Sequence, residues 1–281
     1  MRLGQIRFEH KLTAAVLEGR MARPVPGYSI VELIRKAETE SAGLGELAEE
    51  LASRHCEAYQ LMIPISPIEV WAAGCTYETS ATFRDNEPGV QGGIYAHVCR
   101  QDRPEIFFKG TARVCVGPEQ PIGIRFDSKF TAPEPELAVI LGSKGKVLGY
   151  TLANDVSAWD IERENPLYLP QSKIFAGCCA LGPAIVTADE IADITKLEIA
   201  CTIEREGQTR FSGKVSLGAL KRRLDSLIEY LLRANPVPPG SVMLTGTGIV
   251  VPETAALAAG DKVVIRMEEI GELANPAAVV H

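Results

Sequence analysis

Apolar positions along this chain fall into two spacings. Leu137 to Leu141 is an unbroken apolar run, followed by Gly142-Ser143-Lys144-Gly145 and a second run from Val147 to Ala153 that ends at Asn154-Asp155. Two such runs joined by a short glycine-bearing turn predict paired strands. Further strands are predicted at Val70–Cys75, 104–109, Ala184–Thr187, Leu197–Glu204, Val242–Leu244 and Asp261–Met267. Helical spacing appears in three places. Ser29 followed by Glu32 is a capping-box pattern that opens a helix through about Glu40, and a second helix is predicted from about Gly45 to Leu61. Leu217, Leu220, Leu224, Leu227, Ile228 and Leu231 predict a long helix capped by Ser216 and ended by Asn235-Pro236; that stripe reads as core. Pro64, Ser66 and Pro67 interrupt the pattern. The expected organisation is a small N-terminal α/β unit over 1–66 and a β-rich mixed-sheet domain over 67–281, an α+β fold.

Composition narrows the function. The net charge is −7, and no basic run or aromatic-interleaved patch is present, so nucleic acid and anionic membrane are not expected partners. No apolar run approaches the ~20 residues of a membrane helix, and Met1 to His10 lacks a signal-peptide core. The seven cysteines form no C-x-x-C pair and read as reduced thiols of a cytoplasmic protein. The four histidines show no ligand spacing.

Candidate chemistry begins at Pro133-Glu134-Pro135-Glu136. A residue before proline is held extended, so Glu134 and Glu136, two apart, share one face. Close carboxylates repel unless a cation lies between them, and Asp155 at the exit of the next strand offers a third oxygen. Three carboxylates suit a hard divalent ion such as Mg²⁺ or Mn²⁺. The competing reading is a charged, exposed strand edge. The Gly246-Thr247-Gly248 turn is a weak dinucleotide signal, because no acidic residue follows at the right distance and Pro252 forbids a long helix.

PEPELAVILG, GYTLANDVSAWDIE and the lysine of PQSKIF resemble the signature of the fumarylacetoacetate hydrolase superfamily, and LTGTG and GDKVVIRMEEIGELANP extend the resemblance over roughly residues 70 to 280. The resemblance implies a rolled β architecture, a homodimer or dimer of dimers, metal ligands at Glu134, Glu136 and Asp155, and a functional lysine at Lys173. It also implies substrate contacts from the loop of Thr76 and Tyr77, from the strand of Glu105 and Lys109, and from Thr245, Gly246 and Thr247, the last three through backbone N–H groups. Two departures matter. Where hydrolases of the superfamily carry a histidine and a glutamate that activate water, this chain has Ser80 and Phe83; where many members have glutamine, it has Glu162. Together with Glu105 and the segment ENPLYLPQ, these departures resemble the superfamily's dehydratases of 2-keto-3-deoxy sugar acids. The implied activity is a Mg²⁺-dependent lyase acting on a small 2-keto acid, with Lys173 removing the C3 proton and Glu105 assisting the leaving hydroxyl. C–C hydrolysis or decarboxylation of an acylpyruvate, and a non-enzymatic metal-binding scaffold, are the alternatives. Arg84 to Asp102, polar and glycine-bearing, reads as a lid or a plain surface loop.

Overall fold

The computed structural model describes residues 1–60, 62–85 and 93–281. Strands in chain order are β1 (Arg2–Phe8), β2 (Lys11–Glu18), β3 (Met21–Pro24), β4 (Glu57–Ala58), β5 (Val70–Gly74), β6 (Glu105–Gly110), β7 (Cys115–Val116), β8 (Ile122–Arg125) and β9 (Thr131–Ala132). They continue as β10 (Pro135–Leu141), β11 (Val147–Asp155), β12 (Ser157–Ala158), β13 (Cys179–Thr187), β14 (Glu198–Arg205), β15 (Gln208–Ser216), β16 (Ser241–Leu244), β17 (Lys262–Met267) and β18 (Gly271–Val280). The helices are α1 (Ile30–Glu40), α2 (Leu44–Leu51), α3 (Glu78–Asp85), α4 (Ile94–Arg100), α5 (Trp159–Glu164), α6 (Leu169–Lys173) and α7 (Leu224–Leu232).

The large sheet runs β4-β3-β2-β1-β13-β11-β10-β16-β5-β6, with β7 beside β13, and a second sheet runs β15-β14-β17-β18-β8. Between them lies a single extended apolar core contributed by β10, β11, β13, β16, β17 and α7. The predicted hairpin is its centre. β10 pairs antiparallel with β11, Leu137 opposite Leu152, and every residue of β10 is buried. This is why β10 reads as a continuous apolar run and not as an alternating one. Beyond the hairpin, β10 pairs with β16 and β11 with β13, so the sheet fixes the ends of four strands relative to one another.

Residues 1–66 build β1–β4 and helices α1 and α2. They continue the large sheet, because β1 pairs with β13 through Arg2–Val186 and Leu3–Ile185. The capping box is present: Ser29 Oγ accepts from Glu32 N–H, and Glu32 accepts from Ser29 N–H at 2.7 Å. Two predicted helices differ from what forms. The second one stops at Leu51, where Ser53 N–H is taken by the Pro24 carbonyl and the chain turns back as β4 against β3. The long helix from Ser216 is instead a single 3₁₀ turn, Leu217–Ala219, followed by α7 from Leu224. Lys221 N–H donates to the Thr76 carbonyl and Leu220 bridges to Tyr77, so this backbone is held by the β5–α3 loop and cannot continue the helix. No helix among the described residues is long and apolar enough to cross a membrane.

Leu152 is fully buried at the middle of the hairpin. Leu152→Ala should lower stability by about 2–5 kcal/mol, the usual cost of deleting a buried leucine side chain. Chemical denaturation measures this, and a loss below about 1 kcal/mol would contradict the hairpin's place at the packing centre.

Candidate active site

The three acidic residues come from the two ends of the central hairpin. Glu134 precedes β10, Glu136 is its second residue and Asp155 is the last of β11. Asp155 N–H donates to the Glu134 carbonyl at 2.9 Å, and Glu134 N–H donates to Asn154 Oδ1 at 3.1 Å, so the strand ends are tied where the side chains emerge. The three carboxylates each place an oxygen within 4.8 Å of the others, and they are only 4%, 1% and 1% exposed. The exposed-edge reading is therefore wrong.

Each carboxylate is held separately. Trp159 Nε1–H donates to Glu134 Oε1 at 2.6 Å. Gly246 N–H donates to Glu136 Oε2 at 2.5 Å. That approach needs glycine: φ is +89°, and a Cβ there would lie 2.0 Å from Thr76 Oγ1. Lys109 Nζ pairs with Asp155 Oδ1 at 2.5 Å and donates to the carbonyls of Val156 and Lys173. Burial, the largest influence, disfavours its ammonium form, but the Asp155 carboxylate and the other neighbours outweigh it, and its pKa lies above the usual lysine value.

Lys173, the last residue of α6, is buried and donates to Ser157 Oγ at 2.6 Å and Glu134 Oε1 at 2.9 Å, with Asp155 Oδ2 at 3.4 Å and Glu162 Oε2 at 3.8 Å. Its ammonium also lies 5.5 Å from the Phe107 ring centroid. Around the cluster, four buried carboxyl groups (Glu134, Glu136, Asp155, Glu162) thus face two ammonium groups, Lys109 and Lys173. With all of them ionised the excess is two negative charges, the charge of one divalent cation. Burial, then the neighbouring Asp155 and Glu134 carboxylates, pushes Glu136 well above the ordinary carboxylate range. An all-oxygen, doubly negative cluster with a carboxyl this unwilling to ionise fits a hard dication.

Glu105, Lys173, Glu134, Asp155, Glu162, Ser80, Cys75, Phe107, Gly246 and Thr247 line one cavity. Of the residues expected to touch substrate, Gly246 and Thr247 reach it. Thr76, Tyr77, Lys109 and Thr245 are not in its wall. Thr76 Oγ1–H donates to the Thr245 carbonyl and Thr245 Oγ1–H to the Leu137 carbonyl, fixing the two loops to β10. Tyr77 is buried beside Glu136, and burial raises its phenol pKa. Lys109 is a buried structural cation, with no exposure at all. Gly246 N–H faces Glu136, not open space for a substrate carboxylate. Ser80 Oγ–H donates to the Tyr77 carbonyl. The side chain of Phe83, and within the segment read as a lid the side chain of Arg84 and residues 86–92, lie outside the described residues. Ser157, Trp159 and the site role of Glu162 were missed in the sequence. Their signal was available: Ser157 and Trp159 stand two and four residues beyond Asp155, where the chain leaves the strand.

Comparison with known proteins identifies the chain's relatives. Residues 81–278 match the family model described as fumarylacetoacetate (FAA) hydrolase, C-terminal. The chain is 49% identical over 216 residues, 76% of its length and 72% of the relative's, to a 2-dehydro-3-deoxy-D-arabinonate dehydratase of Saccharolobus solfataricus. It is 32% identical over 251 residues, covering 82% of itself and 76% of the relative, to the mitochondrial oxaloacetate tautomerase Fahd2a of Rattus norvegicus. A solved 2-keto-3-deoxy-D-arabinonate dehydratase complexed with magnesium and 2,5-dioxopentanoate superposes with a TM-score of 0.83 at 38% identity, covering 100% of both chains.

Glu136 carries the test of the metal reading. Its carboxyl binds a proton more readily in the folded protein than at the ordinary value of 4.5. In metal-free protein this contribution is therefore complete below about pH 4.5 and is lost as pH rises towards and through the raised folded value. Glu136→Gln should flatten that loss, leave metal-free protein at neutral pH at least as stable as the parent, and abolish stabilisation by added Mg²⁺. Thermal melts across pH, with and without Mg²⁺, decide it; a Mg²⁺ shift retained in the variant would remove Glu136 from the site.

Proposed function

This chain belongs to the fumarylacetoacetate hydrolase family, and from that premise we infer that it is a magnesium-dependent hydro-lyase of a 2-keto-3-deoxy sugar acid, of the kind that converts 2-dehydro-3-deoxy-D-arabinonate to 2,5-dioxopentanoate. The observation that carries the reading is one cavity lined by two residues of the acidic cluster, Glu134 and Asp155, by the buried Lys173 and by the separate Glu105. A hard divalent ion on Glu134, Glu136 and Asp155 supplies, when bound, Lewis acidity towards a 2-keto acid's carbonyl and positive charge that favours the neutral form of Lys173. Lys173, fixed by Ser157 and backed by Glu162, takes the proton from C3. Glu105, on the β6 side of the cavity, gives a proton to the C4 hydroxyl as it departs as water. The unsaturated keto acid that remains then loses a C5 proton and regains one at C3, which gives a C4–C5 enol; protonation of that enol at C4 with loss of its hydroxyl proton yields the dioxo acid.

Hydrolysis of an acylpyruvate requires a base aimed at water, and Ser80, with its hydroxyl committed to the Tyr77 carbonyl, supplies none. The setting we propose is sugar-acid breakdown in the cytoplasm by a homodimer or dimer of dimers. Seven cysteines, none of them in a disulfide, support a reducing compartment.

Purified, Mg²⁺-loaded protein should dehydrate 2-keto-3-deoxy acids and leave acylpyruvates largely unchanged; the reverse preference overturns the function. Lys173→Met should lose both dehydration and exchange of the C3 proton with deuterated solvent. Glu105→Gln should slow dehydration about 10²–10⁴-fold, the usual cost of removing one positioned acid, while slowing C3 exchange far less. Nuclear magnetic resonance follows both events in one sample, and rapid exchange in Lys173→Met would assign the base elsewhere.

A further inference from the structure

Glu105 begins β6, and its cross-strand neighbour is Gly74, the last residue of β5. Its carboxyl folds back over that neighbour: a Cβ on Gly74 would lie 2.1 Å from Glu105 Oε2. The next residue, Cys75, has φ +52°, a conformation that L side chains rarely adopt. Its Sγ–H reaches the same oxygen, Glu105 Oε2, at 3.4 Å. Cys75 is 9% exposed yet stands outside the apolar core clusters, so its burial is against the site and not against the hydrophobic interior. Besides the cavity of the acidic cluster, Cys75 and Glu105 line an outer pocket of ≈ 570 Å³ with Tyr95, Arg103 and Pro166. They are the two residues common to both walls.

We propose that Cys75 is a positioning residue: its thiol and the bare α-carbon of Gly74 together hold the Glu105 carboxyl at the threshold between the two cavities, aimed at the leaving hydroxyl of the substrate. The assignment rests on the reading of Glu105 as the acid. Three observations converge on one oxygen. Glycine clears the space, the thiol donates into it, and the unfavourable backbone at residue 75 is what brings the thiol round. A merely structural cysteine gives no reason for the positive φ, since glycine at that position would relieve it.

Cys75→Gly separates the two roles. It removes the thiol and relaxes the backbone, so the melting temperature should hold or rise while dehydration kcat falls about tenfold or more, short of the roughly 10²–10⁴-fold cost of losing the acid itself. C3 exchange should change less than about twofold, because proton abstraction belongs to Lys173. Cys75→Ser, which restores a donor, should recover most of the rate. In a Glu105→Gln background, Cys75→Gly should have no further effect, because the carboxyl it aims is gone. Gly74→Ala should mimic Cys75→Gly by displacing Oε2. Parental kcat in Cys75→Gly, or an equal further loss in the double variant, overturns the positioning role. Failure of the parent protein itself to dehydrate or exchange would instead defeat the functional reading beneath it. The two failures are thus distinguishable.

Discussion

The interior of this protein carries more negative charge than positive, and the rest of the site is arranged around that fact. Isolated burial of a carboxylate is strongly unfavourable, so each of the four needs a partner. Lys109 answers Asp155, Trp159 and Lys173 answer Glu134, the Gly246 N–H answers Glu136, and Tyr95 OH lies 3.4 Å from Glu162. These partners come from β6, α5, α6, the loop after β16, and α4. With every carboxyl ionised, what remains after all of them is a double negative charge, which a proton on Glu136 relieves in part and a divalent cation would balance in full.

The large sheet makes this affordable by bringing distant segments to one edge. β16 pairs parallel with β5 and antiparallel with β10, so the loops that leave β5 and β16 open beside the strand that bears Glu136. Thr76 and Thr245 then link those two loops, and β6, paired to β5, carries Glu105 and Lys109 to opposite ends of the same strand. One end faces the cavity and the other sits beneath it. Two charged residues four apart on one strand thereby acquire unrelated surroundings, Glu105 lining the cavity and Lys109 pairing with the buried Asp155.

That divergence explains what was legible in the sequence. The hairpin and its acidic ends could be read, because proline forces extension at Glu134 and two apolar runs flank one short turn. Partners could not. Nothing local says that Lys109 will be sealed under Asp155, since its fate depends on β6 pairing with β5 and on α6 ending above it. The same limit misplaced the third helix: its leucine spacing is intact from Leu217, but the Thr76 carbonyl captures Lys221 N–H, and a tertiary hydrogen bond outweighs local periodicity. β1–β3 were hidden for a related reason, because their buried faces mix Gly4, Gln5 and Thr13 with the apolar positions.

A platform of three carboxylates and a lysine decides less about reaction type than its surroundings do. Such a platform binds a 2-keto acid and loosens the proton beside its carbonyl, which serves elimination, tautomerisation and C–C cleavage alike. What separates these outcomes is the next proton. Cleavage by water needs a base outside the platform; elimination needs an acid on the far side of the scissile C–O bond. In this chain the loop after β5 offers Cys75 and Ser80 to the cavity, a hydroxyl bonded to the Tyr77 carbonyl and a thiol bonded to the carboxyl that β6 brings beside it, Glu105. Neither the Cys75 thiol nor the Ser80 hydroxyl is a ready base for water, whereas the Glu105 carboxyl, on the function proposed above, is placed to serve as the acid that elimination needs. On that reading the direction of the chemistry follows from which strand end carries the spare carboxyl, and the acidic cluster itself is neutral on the question.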